Sequence, residues 1–422
     1  MRIKRNMERA KVKVFENQKQ NRQFFLSYIV FMVNGMLALS IGSMLPFIRD
    51  ARGLDYGFCG MIVSLHSVGN LLSSFFAGIV PTFLGKKRSI LLFESFFAIS
   101  FALILFGQNN FCLVLAFLMT GLARGAASNY CNAKINALAP GKAWIINGLH
   151  AMFSIGAFLF PILLTLITGM NASNWTYACV MMLAIGVLAW FLYWMIPEDE
   201  TEKGKLRKTE GQNTEREKKS AVTENGNWGF FKEPVFYLVI ATLFFYLCAE
   251  QGVIGWMITY FKDTELLSPS VSTITASVQW LMILFGRLTV AAVSLKVTKE
   301  KLLPVMGGVM VVFFVLLIFS RTTFWIMGGI IGFGYSMAGV YPTTVSFAGK
   351  LIQKYPMSWS FILTLASLGS ILMPSVIGKI AENAGIAVGM SSVAVVLVID
   401  LICILVLCAY SAREKKKGGQ SV

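Results

Sequence analysis

Twelve apolar runs of about 20 residues or more constrain this 422-residue chain more than any other feature. Each is long enough for an α-helix to cross a hydrocarbon core about 30 Å thick, because a helix rises about 1.5 Å per residue. The runs lie at approximately 24–48, 57–79, 89–107, 112–136, 143–169, 175–196, 234–261, 270–292, 302–320, 323–347, 357–380 and 386–410. The sequence therefore predicts an all-α polytopic membrane protein with twelve transmembrane helices.

Composition agrees with a membrane protein and argues against a nucleic-acid partner. The chain is 56% hydrophobic, only 14% of its residues are charged, and its net charge is +16. Its basic residues occur as short clusters between apolar runs. They do not form the single basic face that a soluble nucleic-acid-binding domain would present. The seven cysteines lie in or beside apolar runs without metal-ligand spacing, so we expect small buried fillers and neither a metal nor a cofactor.

The distribution of Lys and Arg predicts orientation. If the N-terminus is cytoplasmic, about 30 of the 37 Lys and Arg fall on the cytoplasmic side, including those in 1–23, 86–88 and 413–417. An even helix count then places the C-terminus on the same side. We expect a multi-pass plasma-membrane protein with both termini in the cytoplasm.

A charged stretch at 197–233 divides the apolar runs into two sets of six. It holds eight basic and nine acidic residues, too polar a composition to bury a core of its own. The predicted organisation is an N-terminal tail at 1–23, a six-helix bundle at 24–196, a cytoplasmic linker at 197–233, a second bundle at 234–410 and a tail at 411–422.

An internal repeat relates the two bundles. The segment Ser154–Pro161 in helix five reads SIGAFLFP, and Ser367–Pro374 in helix eleven reads SLGSILMP. The offset that takes Ser154 to Ser367 also takes Gly121 to Gly334 and Lys86 to Lys299. We call this constant spacing the repeat offset. Three concordant matches indicate a duplicated six-helix unit.

The loop after helix two carries a recognisable motif, GIVPTFLGKKR, from Gly78 to Arg88. It resembles the loop signature of the major facilitator superfamily, although Thr82 stands where that family usually has Asp. Glycines permit a tight turn, and basic residues hold a loop at the membrane surface. The resemblance implies a substrate site between two six-helix bundles and a gating role for Gly78, Gly85, Lys86, Lys87 and Arg88.

Four further segments are similar to the fucose permease and glucose/galactose transporter branch of that superfamily. They are 121–133, 146–150 with Gly156 and Pro161, 248–252 followed by Trp256 and Tyr260, and 334–343. This similarity implies sugar transport by alternating access. Proton-coupled members of the branch often carry acids in helices one and four, where this chain has Asn34 and Ser128, so the resemblance does not imply proton coupling.

Two charges in the middle of spans are the strongest site candidates on chemical grounds. A charge near the bilayer centre costs about 2.5 to 3.5 kcal/mol on insertion scales, so it must face a partner or a wet cavity. Glu250 in helix seven is interpreted as a substrate-binding or proton-binding group, with a structural anchor as the alternative. Arg124 shares a face of helix four with Ser128 and Asn132, and suits a sugar hydroxyl or a carboxylate of the substrate. An internal salt bridge or a coupling residue is the alternative for Arg124.

The other candidates are polar or aromatic residues of the helices expected to line the cavity. Arg287, in the cytoplasmic third of helix eight, is favoured as a gate or loop anchor over a ligand contact. The predicted substrate contacts are Asn34, Arg124, Ser128, Asn132, Asn147, His150, Glu250, Gln251, Trp256, Trp280 and Tyr341. The polar groups would bind substrate hydroxyls, and the aromatic rings would stack on a sugar ring.

No phosphate-binding Gly-Lys-Ser/Thr loop and no nucleophile-base-acid trio stands out, so we expect no enzyme activity. The leading hypothesis is a monomeric secondary active transporter for a small polar solute, a sugar above all, with proton symport through Glu250 left open. An organic-anion transporter or exporter using Arg124 and Arg287 is the first alternative. A non-transporting membrane sensor or scaffold is the second.

Overall fold

The structure is a computed structural model that describes residue 15 and residues 17–139, 143–169, 171–197, 228–355 and 357–418. The first half contains α1 (Gln18–Arg52), α2 (Tyr56–Leu84), α3 (Lys86–Phe106), α4 (Asn110–Leu138), α5 (Ala143–Thr168) and α6 (Trp175–Met195). The second contains α7 (Pro234–Asp263), α8 (Pro269–Val293), α9 (Lys299–Phe319), α10a (Thr323–Met337), α10b (Val340–Phe347), α11 (Met357–Ala384) and α12 (Ile386–Gly418). Short helices at Ala172–Asn174, Trp228–Lys232 and Gly349–Lys354 complete the described elements.

Twelve helical segments of the described chain are long and apolar enough to cross a membrane. The predicted all-α architecture of twelve spans is therefore confirmed. The tenth span is broken, whereas the sequence pattern predicted one helix over 323–347. Pro342 supplies the physical reason, because its nitrogen has no hydrogen to donate to the carbonyl of Ala338, and α10a ends at Met337.

The duplication extends to the helix boundaries. Tyr56 begins α2 and Pro269 begins α8, and these two positions are related by the repeat offset. The same spacing separates the first residues of α3 and α9, and of α4 and α10a. Each turn between these helices therefore falls at an equivalent position in the two halves, as expected for a duplicated unit.

Packing explains why glycine recurs in the repeated octapeptide. A Cβ atom added to Gly156 of α5 would lie 1.8 Å from the carbonyl oxygen of Met32 in α1. One added to Gly369 of α11 would lie 2.2 Å from the carbonyl oxygen of Phe244 in α7. Only glycine lets these backbones approach so closely, so the motif fixes the same helix pair in each half.

The two membrane faces differ in the helix ends that they carry. The termini face holds the start of α1 and the end of α12; the far face holds the end of α1, the start of α2 and the end of α7. Ser64 Oγ of α2 lies 2.7 Å from Ser375 Oγ of α11. Ser277 Oγ of α8, equivalent to Ser64 by the repeat offset, donates to the Phe158 carbonyl of α5 at 2.7 Å. Equivalent serines therefore join the two halves at two helix pairs, α2 with α11 and α5 with α8.

Of the predicted linker, residues 198–227 lie outside the described residues. The segment Trp228–Lys232 forms a short 3-10 helix. Phe230 is buried, and its ring lies 5.5 Å from that of Phe361 in α11. The last residues of the charged stretch thus pack against the second half.

Candidate functional site

Arg124 of α4 and Glu250 of α7 bring opposite charges to the middle of the membrane from the two halves. Both side chains are partly exposed, and Glu250 interacts electrostatically with Arg287 and Arg124. A charge turned toward hydrocarbon at this depth would be costly, so the partial exposure indicates an internal space between the halves. This space is the candidate site.

The wall contributed by the first half is ordered by a chain of hydrogen bonds. The Thr120 hydroxyl donates to the Phe117 carbonyl at 2.6 Å, which uses its single proton. It must therefore accept from His66, whose Nδ1 lies 2.9 Å away. That assignment leaves His66 Nε2 as an acceptor, and Arg124 Nη1 lies 3.3 Å from it. A neutral His66 thus orients the Arg124 guanidinium.

Asn34 of α1 adds an unused acceptor to this wall. Its Nδ2 donates to the Arg124 carbonyl at 3.3 Å. Its Oδ1 is buried and has no hydrogen-bond partner among the described residues. A buried amide oxygen without a donor is costly, so a substrate hydroxyl or a water molecule would satisfy it.

Two further predicted contacts on α4 extend the polar surface toward the termini face. Ser128 and Asn132 are partly exposed. Asn132 Nδ2 already donates to the Ser128 carbonyl at 2.8 Å, so part of its capacity is used within the helix. On α5, Asn147 is exposed near the helix start, and His150 is partly exposed with its ring 5.6 Å from Phe31.

The wall contributed by the second half contains a residue that the sequence pattern did not single out. The Tyr246 hydroxyl lies 3.1 Å from Glu250 Oε1 and 3.3 Å from the Met337 carbonyl oxygen. Tyr246 is one helical turn before Glu250, and this spacing was the available signal. Gln251 is partly exposed beside Glu250, and Tyr341, also partly exposed, places its ring 6.1 Å from that of Tyr246.

The two predicted tryptophans occupy different places. Trp280 of α8 lies between the halves, with its ring 5.6 Å from Phe153 of α5 and its indole nitrogen buried without a partner among the described residues. Trp256 is completely buried, donates to the Pro374 carbonyl at 3.0 Å and lies beside Tyr56. The structure therefore brings Trp280 to the candidate site but places Trp256 in the packing toward the far face.

The predicted gating loop is short, because α2 runs to Leu84 and α3 begins at Lys86. Gly78 falls inside α2, while Gly85 makes the turn at a positive φ of 76°, which favours glycine. Lys87 Nζ donates to the carbonyls of Tyr193, at 2.7 Å, and Ile196 at the end of α6. Lys86 and Arg88 are exposed, and Arg287 lies partly exposed two turns beyond Trp280 on α8.

The described residues of the two halves are joined at the far face in this conformation. Polar contacts between the two halves, such as Ser64 with Ser375 and Arg49 with Asp263, lie on the far-face side. The polar side chains from Arg124 to Asn132 are partly exposed on the other side. The described part of the chain is thus closed at the far face, and the polar side chains of α4 toward the termini face are partly accessible.

Two repeated six-helix halves with a polar space between them near the bilayer midplane define a membrane transporter of the alternating-access type. The family model described as Major Facilitator Superfamily matches residues 24–374, and the chain belongs to that superfamily. Membership indicates a transporter rather than an enzyme. It also confirms the resemblance predicted from the loop motif.

Individual relatives are distant. The chain is 21% identical over 368 residues to the glucose/mannose transporter GlcP of Bacillus subtilis, covering 84% of this chain and 87% of the relative. It is also 21% identical to a TsgA homolog of Yersinia pestis, over 88% and 91% of the two chains. The crystal structure of a D-xylose-proton symporter superposes with a TM-score of 0.74 at 13% identity, covering 92% and 96%. The first similarity agrees with the sugar-transporter branch predicted from the sequence.

Proposed function

We propose that this protein carries a small polar solute, a sugar in particular, across the plasma membrane by alternating access. The single observation that supports this best is the pair Arg124 and Glu250, which are partly exposed on opposite halves and interact electrostatically with each other. Groups that hold a substrate from both halves release it when the halves separate, as alternating access requires. In this proposal the protein acts as a monomer and the termini face is cytoplasmic.

The chemistry of the lining suits a polyhydroxylated molecule. Asn34 offers a buried acceptor, Trp280 offers a buried donor, and Arg124 and Glu250 offer charged donors and acceptors. The likeness to a glucose/mannose transporter points the same way. A sugar hydroxyl both donates and accepts, so one ring could satisfy several of these groups.

Binding is tested with purified protein and a panel of neutral hexoses, pentoses and nucleosides. A ligand that binds only the folded protein raises its melting temperature, by an amount that grows with concentration. Stabilisation by one or more hexoses, followed by saturable uptake of the same sugar into proteoliposomes, supports the proposal. Saturable uptake of any solute contradicts a purely sensory or scaffolding role.

Proton coupling is proposed to use Glu250. Uptake is measured in proteoliposomes with and without an inward proton gradient, alongside exchange counterflow, which needs no gradient. Glu250→Gln should abolish gradient-driven accumulation and retain counterflow, because an amide cannot release a proton. Gradient-driven accumulation at the unsubstituted level would exclude Glu250 as the coupling acid.

An organic anion is the second candidate, favoured by the charge balance of the site. Glu250 is the acid that interacts with both Arg124 and Arg287, so these three groups carry one net positive charge. A substrate carboxylate would compensate that charge through a bidentate contact with a guanidinium. Sugar acids tested beside the matching neutral sugars decide the question: stabilisation by the acids alone would overturn the neutral-sugar proposal.

A further inference from the structure

Four charged residues at the far face form two ion pairs between the halves. Arg49 and Asp50 lie at the end of α1, and Lys262 and Asp263 end α7. Arg49 binds Asp263 through both amino groups, with Nη2 to Oδ1 at 2.8 Å. Lys262 Nζ lies 2.5 Å from Asp50 Oδ2. The cation of each helix therefore pairs with the acid of the other.

This crossed pattern follows from the duplication. The repeat offset takes Arg49 to Lys262 and Asp50 to Asp263. In a two-fold contact, residue i of one unit meets residue j of the other, and j meets i in return. The two ion pairs are thus one contact made twice by a repeated cation-acid dipeptide. The contact exists only while the ends of α1 and α7 lie side by side, which is the far-face-closed state.

The two ion pairs differ in exposure. The side chains of Arg49 and Asp263 are 14% and 12% exposed, whereas those of Lys262 and Asp50 are 20% and 46% exposed. Asp263 also accepts from the Tyr56 hydroxyl at 2.8 Å, and the Arg49 guanidinium lies 4.7 Å from the centre of the Tyr56 ring. A bidentate, sequestered pair is stronger than an exposed lysine pair, so Arg49–Asp263 should dominate.

A third contact reinforces the same closure. Glu382, near the end of α11, accepts from the backbone N–H of Tyr56 at 2.8 Å. It thereby caps the first turn of α2 with a carboxylate from the other half, where the helix dipole favours negative charge. Tyr56 is thus bound at its backbone by α11 and at its hydroxyl by α7.

We infer that the crossed ion pairs form a latch that holds the far face closed and must break each time the transporter opens there. In this role Arg49 and Asp263 position the two halves and do not bind substrate. The inference goes beyond the proposed function, because it concerns the balance between two conformations whatever the substrate is. Loss of the latch should shift the population toward the far-face-open state.

The chain contains a natural reporter of that opening. Cys59 of α2 is completely buried and lies within electrostatic range of Arg49, Asp50 and Asp263. A full-length variant is prepared with Cys59 as its sole cysteine, and labelling by a maleimide is timed in detergent, where both faces are accessible. A second reporter replaces Cys59 with alanine and carries Ser64→Cys, whose position contacts Ser375 across the halves.

Asp263→Asn should raise the labelling rate of both reporters by about tenfold or more, because it breaks the sequestered pair between the halves. Arg49 then keeps only its ion pair with Asp50 of its own helix, at 2.8 Å, which does not join the halves. Asp50→Asn should raise it by only about twofold, as expected for an exposed pair. Asp55→Asn is the matched control. Asp55 is an exposed far-face acid that caps α2 through the Phe58 N–H, and asparagine preserves that cap.

Reversal of the pair separates a latch from a general loss of stability. Arg49→Asp combined with Asp263→Arg should return labelling to within about twofold of the starting rate. The acid then lies on α1 and the arginine on α7, so the two side chains still attract each other. Equal labelling in Asp263→Asn and Asp55→Asn, or no rescue by the reversal, would overturn the inference. Since the measurement needs no substrate, either result leaves the proposed transport function untouched.

Discussion

Gly42 of α1 and Gly255 of α7 are equivalent positions of the two halves, related by the repeat offset, and they are in contact in the structure. A Cβ atom added to Gly42 would lie 2.0 Å from the Ile254 carbonyl oxygen and 3.3 Å from the Gly255 Cα. Equivalent positions of a duplicated unit can meet each other only on the axis that relates the two copies. The crossing of α1 and α7 therefore marks that axis, on the same helices that carry the ion pairs.

This contact predicts that Gly42→Ala opposes closure of the far face. The obstructing atom is a backbone oxygen, so α1 and α7 must separate to admit even one methyl group. We expect Gly42→Ala to lower the stability of the closed state by about 1 to 3 kcal/mol, the usual cost of overpacking. Thermal melting in detergent measures the loss, and Cys59 labelling measures the opening.

The chain offers graded controls for that substitution. A Cβ on Gly255 would meet only the Val63 Cγ1 atom at 3.1 Å, and one on Gly308 of α9 would meet nothing within 4 Å. Gly255→Ala should therefore have an intermediate effect. Gly308→Ala should leave the melting temperature equal or higher, because alanine is the better helix former. If Gly42→Ala melts like Gly308→Ala, the two helices do not meet as described.

Tyr246→Phe is predicted to weaken substrate binding without abolishing proton coupling. The substitution removes a hydroxyl 3.1 Å from Glu250 Oε1 but leaves the carboxyl itself in place. A hydrogen bond to a charged group contributes about 1.5 to 3 kcal/mol, so affinity should fall by about tenfold or more. Counterflow gives the affinity, and gradient-driven uptake tests whether coupling persists.

Tyr260→Phe is the matched control on the same helix. The Tyr260 hydroxyl lies 3.4 Å from the Ile318 carbonyl, a long contact within the second half. The hydroxyl also interacts with Arg321 beyond the end of α9, and not with Glu250. Its removal should therefore change affinity by less than about threefold. Equal losses in the two variants would deny Tyr246 a specific role in positioning Glu250.

The helices and their repeat could be predicted from the sequence, because both depend on hydrophobic spans and turn residues that the sequence shows directly. The site was predicted in part. Arg124, Asn34 and Glu250 stand out as polar groups within apolar runs, and the structure places them around one space. Tyr246 was missed because a tyrosine in a membrane helix is unremarkable until its hydroxyl is seen beside Glu250.

The contacts between the halves could not be predicted from periodicity, which describes one helix at a time. Trp256 shows this, since its ring packs beside Tyr56 of the other half, a neighbour that the pattern of α7 alone does not reveal. The ion pairs of Arg49 with Asp263 and of Lys262 with Asp50 did leave a signal. The cation-acid dipeptide at 49–50 recurs at 262–263, one repeat offset later. The crossed pairing can be inferred only once the axis that relates the two halves is located.

Lys87→Met is predicted to destabilise the end of α6. The ammonium group donates to the Tyr193 and Ile196 carbonyls at the helix end, beyond which no regular intrahelical donors follow, and it also offsets the negative end of the helix dipole. We expect a loss of about 1 to 2 kcal/mol, with faster amide exchange near Tyr193. Arg88→Met is the control, since Arg88 is exposed and should change little. Equal effects would assign Lys87 a surface role only.

Asp400→Leu is predicted to stabilise the protein. Asp400 of α12 is completely buried, and neither carboxylate oxygen has a hydrogen-bond partner among the residues that the structure describes. An unsatisfied buried polar group costs about 1 to 3 kcal/mol, and leucine keeps the same branched arrangement of heavy atoms without that cost. The melting temperature in detergent should therefore rise while uptake is retained.

Asp263→Leu provides the opposite expectation, because its loss removes the acid that binds Arg49 across the halves and should lower the melting temperature. Comparing the melting temperatures of Asp263→Leu and Asp400→Leu tests whether a paired acid stabilises the folded protein while an unpaired one destabilises it. If Asp400→Leu melts lower or loses uptake, Asp400 has a partner in another step of the cycle. The group to examine first is Tyr246, which interacts electrostatically with both Asp400 and Glu250 and would connect α12 to the site.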